Sequence, residues 1–361
     1  MPKEATTDSP PLNWPPTLRR PASPPKLVYL DLNHWIYLSQ AATGHREGSQ
    51  FEPALQRCRA ARDAGTVVFP LSATHYMEII KITDPAQRGN LAILMEELSG
   101  FTTLLSRSWV MRMELEAALT SRLGPSPEPL PTLDLLGPGY GWALGRLHPI
   151  VVQDSEGHDV TEQARQQIGP ASFDPYMAAM LLMTERMMLA GPADEDVPAL
   201  RNLGWDPLAA RTMAENRARQ EQTFQDGLED QMRRRPHRLR AAVLAREAVI
   251  ELEPMLVEAA TVRRCHLSDL LGATPQQAQD LIRSMPSSDV ATTLKFQDHR
   301  NQSKRWLFND TFDIDALSLA IPYCDIVVTD VHRRHVLHNV HMDTRMDTVI
   351  LAHLTELTDH L

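Results

Sequence analysis

A chain of 361 residues is long enough for one large domain or two ordinary ones, with a sizeable core. Hydrophobic residues at 43% and charged residues at 23% suit a globular protein in water, and a net charge of -10 excludes a surface that is basic all over. A nucleic-acid partner therefore needs a local basic patch. The three cysteines, Cys58, Cys265 and Cys324, are too scattered for a disulfide framework or a paired metal motif. No run approaches the ~18 apolar residues of a membrane span. The expected setting is the cytoplasm, with no membrane.

Residues 1–25 are proline-rich and lack the apolar run of a secretory signal, which predicts a disordered tail. "KLVYL" (26–30) reads as a strand buried on both faces, followed by helices over 33–42 and 51–65. "TVVFPL" (66–71) is a second strand, and Ser72 an N-cap for the helix "ATHYMEIIKI". From about residue 90 to 285 the pattern becomes helical. Residues 91–123 predict helix broken at Gly100, 125–141 a loop, and the methionine-rich 175–190 a buried helix. Long amphipathic helices are predicted over 206–235 and 238–264, and a shorter one over 274–285. Strand–helix alternation then returns: the helix "NDTFDIDALSLAIPY" (309–323), the strand "CDIVVTD" (324–330) and the strand-like "DTVILA" (347–352). Neither α/β part is large enough to fold alone, so the chain reads as one α/β domain interrupted by a helical insertion.

Two apolar strands end in aspartates, Asp31 and Asp330, at the edge of a parallel sheet where ligands bind. Glu78 lies in the helix after the second strand. Asp310 and Asp313 share a helical face, and Asp315 points elsewhere. Taken singly, Asp31 and Asp330 read as helix N-caps, Glu78 as a surface residue, and Asp310 to Asp315 as favourable charge at a helix start. Taken together, converging carboxylates repel unless a cation intervenes, and hard Mg²⁺ or Mn²⁺ prefers such oxygen ligands. All-carboxylate sites of this kind suit phosphodiester hydrolysis.

In the order strand-Asp, helix-Glu, helix-Asp, strand-Asp the chain resembles the PIN-domain nucleases. Asp31-Leu32-Asn33 matches their D-x-N pattern, "SATHYMEI" supplies Glu78, "DIDALSLA" aligns Asp313, and "IVVTD" supplies Asp330. Leu32 stands where a small hydroxyl residue is usual, and Thr329 abuts Asp330 instead of preceding it by two residues. The resemblance implies a mostly parallel, three-layer PIN-like sheet flanked by helices, over residues 26–100 and 290–361, with an α-helical insertion at 101–289. It also implies a metal-dependent endoribonuclease cutting single-stranded RNA. Asp31, Glu78, Asp313 and Asp330 would be the catalytic metal ligands, Asp310 an auxiliary ligand, and Asn33 a positioning residue.

Arg300, Lys304 and Arg305, in a run interleaved with Phe296 and Trp306, fit a single-strand channel or else a solvated loop over buried aromatics. His332 is a further candidate for substrate phosphate. The histidines at 332, 335, 338 and 341 drift around a helix and make a poor zinc site. The basic run 233–240 reads as a solvated turn. The insertion is expected to shape access or to bind a protein partner. The rival readings are a catalytically silent nucleic-acid-binding or regulatory module, and a metal-dependent DNA nuclease or phosphatase.

Overall fold

"KLVYL" forms β1 (Lys26–Leu30), whose alternate residues enter two different cores. The chain then passes through α1 (Leu32–Ala42), β2 (Val67–Val68) and α2 (Ala73–Ile79). Far along the sequence come α3 (Pro286–Arg300), α4 (Phe308–Tyr323), β3 (Ile326–Val328), α5 (Val331–Asn339) and β4 (Val349–Leu351). This computed structural model describes residues 9–147, 151–192, 197–202, 206 and 208–361. The four strands form one parallel sheet in the order β2-β1-β3-β4, with Tyr29 opposite Val327 and Val327 opposite Ile350.

Leu27, Tyr29, Val327 and Ile350 face a core shared with α3 and α4. Val28, Leu30, Ile326, Val328 and Leu351 face a second core with α1 and the helix Glu52–Asp63. Burial of each such side chain contributes about 1.5–3 kcal/mol. Both faces being apolar explains why the strands read as continuous apolar runs. The mixed α/β expectation holds at this level.

Order reverses between β1 and β3, because β2 lies to one side of β1 and the later strands to the other. That switch point opens a crevice at the carboxyl ends of β1 and β3, where residues 31 and 330 sit.

Several sequence expectations are corrected. Residues 9–25 pack on the body: Asn13 N–H donates to Ser284 O at 2.7 Å, Trp14 meets Tyr323 edge-on, and Leu18–Arg19 pairs with Leu133–Asp134. The rest of the expected tail, residues 1–8, lies outside the described residues. Gly100, in the left-handed region at φ +54°, ends the helix Pro85–Ser99. Thr102–Leu104 is then a strand, bridged to Leu71 beside the sheet and paired with Leu136–Pro138 from the expected loop.

The helix Pro170–Ala190 buries Phe173 and Leu189, and its C-terminal end, Met188 to Ala190, packs on the second core, while its middle is exposed (Tyr176 61%, Met183 58%). The helix over 206–235 appears as Ala209–Gly227 and Asp230–Arg233. That over 238–264 is Pro236–Glu247 and Glu253–Arg263, joined by a wider π-turn at Ala248–Leu252. Pro254 has no N–H to give to the residue four back, and the helix widens there. No helix of the described residues is long and apolar enough to cross a membrane.

Candidate functional site

The crevice at the switch point is a cleft of about 380 Å³ lined by, among others, Asp31, Asn33, Glu78, Lys81, Asn309, Asp313 and Asp330. Asp31 is the N-cap of α1: its Oδ1 accepts the Asn33 N–H at 2.9 Å, and His34 Nδ1 stands 3.2 Å away. Asp330 caps α5 the same way, its Oδ1 accepting from His332 N at 2.7 Å and Arg333 N at 3.0 Å. The capping reading and the cleft reading are therefore both true of these residues. Each spends Oδ1 on a helix terminus and leaves Oδ2 toward its neighbours. The Thr329 hydroxyl lies 3.5 Å from Asp31 Oδ2.

Glu78 is held by the start of α2. Burial pushes the His75 imidazole down to about 4, so the ring is neutral. Its Nδ1 accepts the Ser72 N–H at 3.0 Å, and its Nε2–H reaches Leu30 O at 2.9 Å. This ties α2 to the end of β1. Glu78 then points into the cleft, where burial raises its carboxyl and Lys81 opposes the rise. Lys81 Nζ donates to Glu78 Oε1 at 2.7 Å and to Asn309 Oδ1 at 2.6 Å.

Of the three aspartates at the start of α4, only Asp313 lines the cleft. Burial pushes its carboxyl up to about 7; Arg333 opposes this, and Glu78, Asp31 and Asp330 add to it by repulsion. Its side chain is 40% exposed, so water in the cleft screens part of that push. Asp310 is one turn earlier but lies outside the cleft lining. Its oxygens accept from Lys304 Nζ at 2.5 Å and Leu307 N at 2.8 Å, so this expected auxiliary ligand is occupied by other partners. Asp315 faces away and pairs with Arg217 at 2.5 Å.

The expected substrate-binding residues divide. Asn33 lines the cleft; Arg300, Lys304, Arg305 and His332 do not. Arg300 lies at the end of α3 beside Gln297 and the Phe296 ring, Lys304 pairs with Asp310, and Arg305 and His332 are exposed. Phe296 and Trp306 are core residues, 3% and 6% exposed, so neither is a stacking platform. The basic run is also partly spent on packing: Arg233 donates to His299 O, and Arg240 lies over Phe296. Sequence reasoning missed Lys81, Asn309 and Tyr29. For Lys81 the available signal was its i+3 spacing from Glu78.

A second polar groove, of about 390 Å³, lies beyond the shared wall Ile36 and is lined by Gln40, His45, Gln87 and Asn90 among others. The donor set of the cleft, carboxylate oxygens with the amides of Asn33 and Asn309, fits a hard divalent cation. Among the described residues, however, no three His, Cys, Asp or Glu side chains already stand in one ligand shell. The four carboxylates are neighbours, with Glu78 drawn toward Lys81. Comparison of the chain with protein-family models, with curated proteins and with solved structures finds no match.

Proposed function

We propose that this chain is a PIN-like, Mg²⁺- or Mn²⁺-dependent nuclease that hydrolyses phosphodiester bonds of single-stranded RNA. One observation carries the reading: four carboxylates from four separate segments line one open cleft at a topological switch point, with too few cations to neutralise them. Asp31, Asp313 and Asp330 would hold the ion, with Glu78 bordering it from its pair with Lys81. When bound, it supplies Lewis-acid polarisation of a phosphate and acidification of water.

The protein's own contribution is positioning. The two helix caps fix Asp31 and Asp330, so neither needs reorganising when substrate arrives. Asn33 and Asn309 offer amides to phosphate oxygens. The groove past Ile36 favours a chain over an isolated phosphate, which supports a nuclease above a phosphatase. RNA is chosen over DNA on the PIN resemblance alone. The insertion would meet a protein partner on the exposed apolar face of Pro170–Ala190.

The test is cleavage of labelled single-stranded RNA and DNA with Mg²⁺, Mn²⁺ or chelator, comparing wild type with Asp31→Asn and Asp330→Asn. Metal-dependent RNA cleavage lost in both variants is expected. Cleavage that survives both substitutions contradicts the site. The absence of a preassembled ligand shell favours the rival reading of a silent binding module, and RNA binding without cleavage under any metal would establish it.

A further inference from the structure

Lys81 is an unusual neighbour for a site that would bind cations, and its ammonium is fixed from several sides. Two of its three N–H donors go to Glu78 Oε1 and Asn309 Oδ1. Its Nζ also sits 4.7 Å from the Phe308 ring centroid and 4.6 Å from that of Phe312. Facing two aromatic rings and one carboxylate, it is held by cation–π attraction as well as by charge. The lysine is anchored across α2 and α4, from segments 228 residues apart.

One oxygen of Glu78 is already engaged by this positive charge, which opposes a second cation there. Asp31, Asp313 and Asp330 have no such lysine: Asp31 Oδ2 meets only the Thr329 hydroxyl at 3.5 Å, Asp330 is engaged through Oδ1, and Asp313 has Arg333 at 3.9 Å, itself bound to Asp298. Positive charge in the cleft is therefore divided unevenly, with Glu78 supplied and the three aspartates not.

We propose that Lys81 is a tethered cation that takes the place of a second metal ion beside Glu78. The cleft then loads one divalent ion, on the side of Asp31, Asp313 and Asp330. This rests on the nuclease reading above only in taking the cleft as a metal site. The third N–H of Lys81 is left for a phosphate oxygen, making it a positioning residue for the substrate. Glu78 serves the lysine and is a metal ligand only when the lysine is gone.

The test counts Mn²⁺ bound per full-length chain by electron paramagnetic resonance, with no nucleic acid present. An ion on the aspartate side is assigned by its loss in Asp313→Asn, and one beside Glu78 by its loss when Glu78→Gln is added to Lys81→Met. Wild type and Lys81→Arg should each hold one such ion, and Lys81→Met, which frees Glu78 and Asn309, should hold two. Two cleft ions in wild type, or one in a folded Lys81→Met, would overturn the proposal while leaving the metal site intact. If Lys81→Met does not fold, the wild-type and Lys81→Arg counts decide alone. No cleft ion in wild type overturns this proposal and the metal-dependent reading together.

Discussion

Among the described residues two groups of four carboxylates stand in contrast, one in the open cleft and one in a buried seam. In the cleft, lined by Asp31, Glu78, Asp313 and Asp330, Lys81 pairs with Glu78 and Arg333 lies 3.9 Å from Asp313, and the group is open to water. In the seam between the insertion and α3–α4, Glu221, Glu247, Glu251 and Asp315 meet Arg107, Arg217, Arg246 and Lys295. There Lys295 lies 2.6 Å from Glu247, and His299 Nε2 stands 3.1 Å from Glu221.

The carboxyl shifts run in opposite directions. Burial raises both Asp313 and Glu78. Burial also pushes Glu221 and Glu251 up, but it is outweighed: by His299, Lys295 and Arg246 at Glu221, and by Lys295, Arg107 and Arg217 at Glu251, so both end well below the usual range. A carboxylate cluster matched by cations is already satisfied and holds the structure together. One left short of cations carries the charge pattern on which the proposed site rests.

The largest expected effect is on the cleft. Asp31→Asn should lower RNA cleavage on the order of 10²–10⁴-fold, as for other lost groups that handle charge in a reaction, while melting changes little. Multiple-turnover assays on purified protein read this.

In the seam the consequence reverses. Lys295→Met leaves Glu247 buried without its lysine and should cost about 3–5 kcal/mol in urea unfolding, the usual penalty for breaking a buried pair. Cleavage per folded molecule should persist.

Glu114 sharpens the contrast, because it is buried among hydrogen-bond donors with no salt-bridged cation. Burial pushes it from an ordinary 4.5 up to about 7, against the Ser287 and Tyr323 hydrogen bonds. With the folded value raised, its contribution to stability is complete below pH about 4.5 and is lost as pH rises through about 7. Between pH 5 and pH 8, wild type should lose up to about 3 kcal/mol relative to Glu114→Gln, since each tenfold change in proton affinity is worth ~1.4 kcal/mol. Paired thermal melts across that range check it. The smallest effect belongs to the exposed helix: Met183→Gln should stay within about 0.5 kcal/mol of wild type in urea unfolding.

The parts of this architecture that depend on local chemistry were legible in the residues. β1 and β3 read as apolar runs ending in aspartate because both faces of the sheet are covered. Ser72 marked the start of α2, and that start aims Glu78. Other parts depend on which surface meets which. A helical wheel separates Asp310, Asp313 and Asp315 by angle but does not say which direction faces the cleft. An amphipathic pattern over 206–235 does not say where its charged residues go, and only tertiary packing sets Glu221 beside Lys295 and Arg217 beside Asp315. The methionines of 175–190 misled in the other direction, since apolar composition alone does not guarantee a covering layer. Lys81 needed Asn309, Phe308 and Phe312 from the far end of the chain before it had any meaning.

Asp313 and Asp315 bring the comparison down to two positions on one helix, one facing the cleft and the other the seam. The most direct measurement sets Asp313→Asn beside Asp315→Asn, with Mn²⁺-dependent RNA cleavage and urea unfolding read on both. Asp313→Asn should fold as well as wild type and fail to cleave. Asp315→Asn should unfold more easily and, while folded, cleave at the wild-type rate. An active Asp313→Asn, or a stable and inactive Asp315→Asn, would contradict the assignment of the cleft as the site.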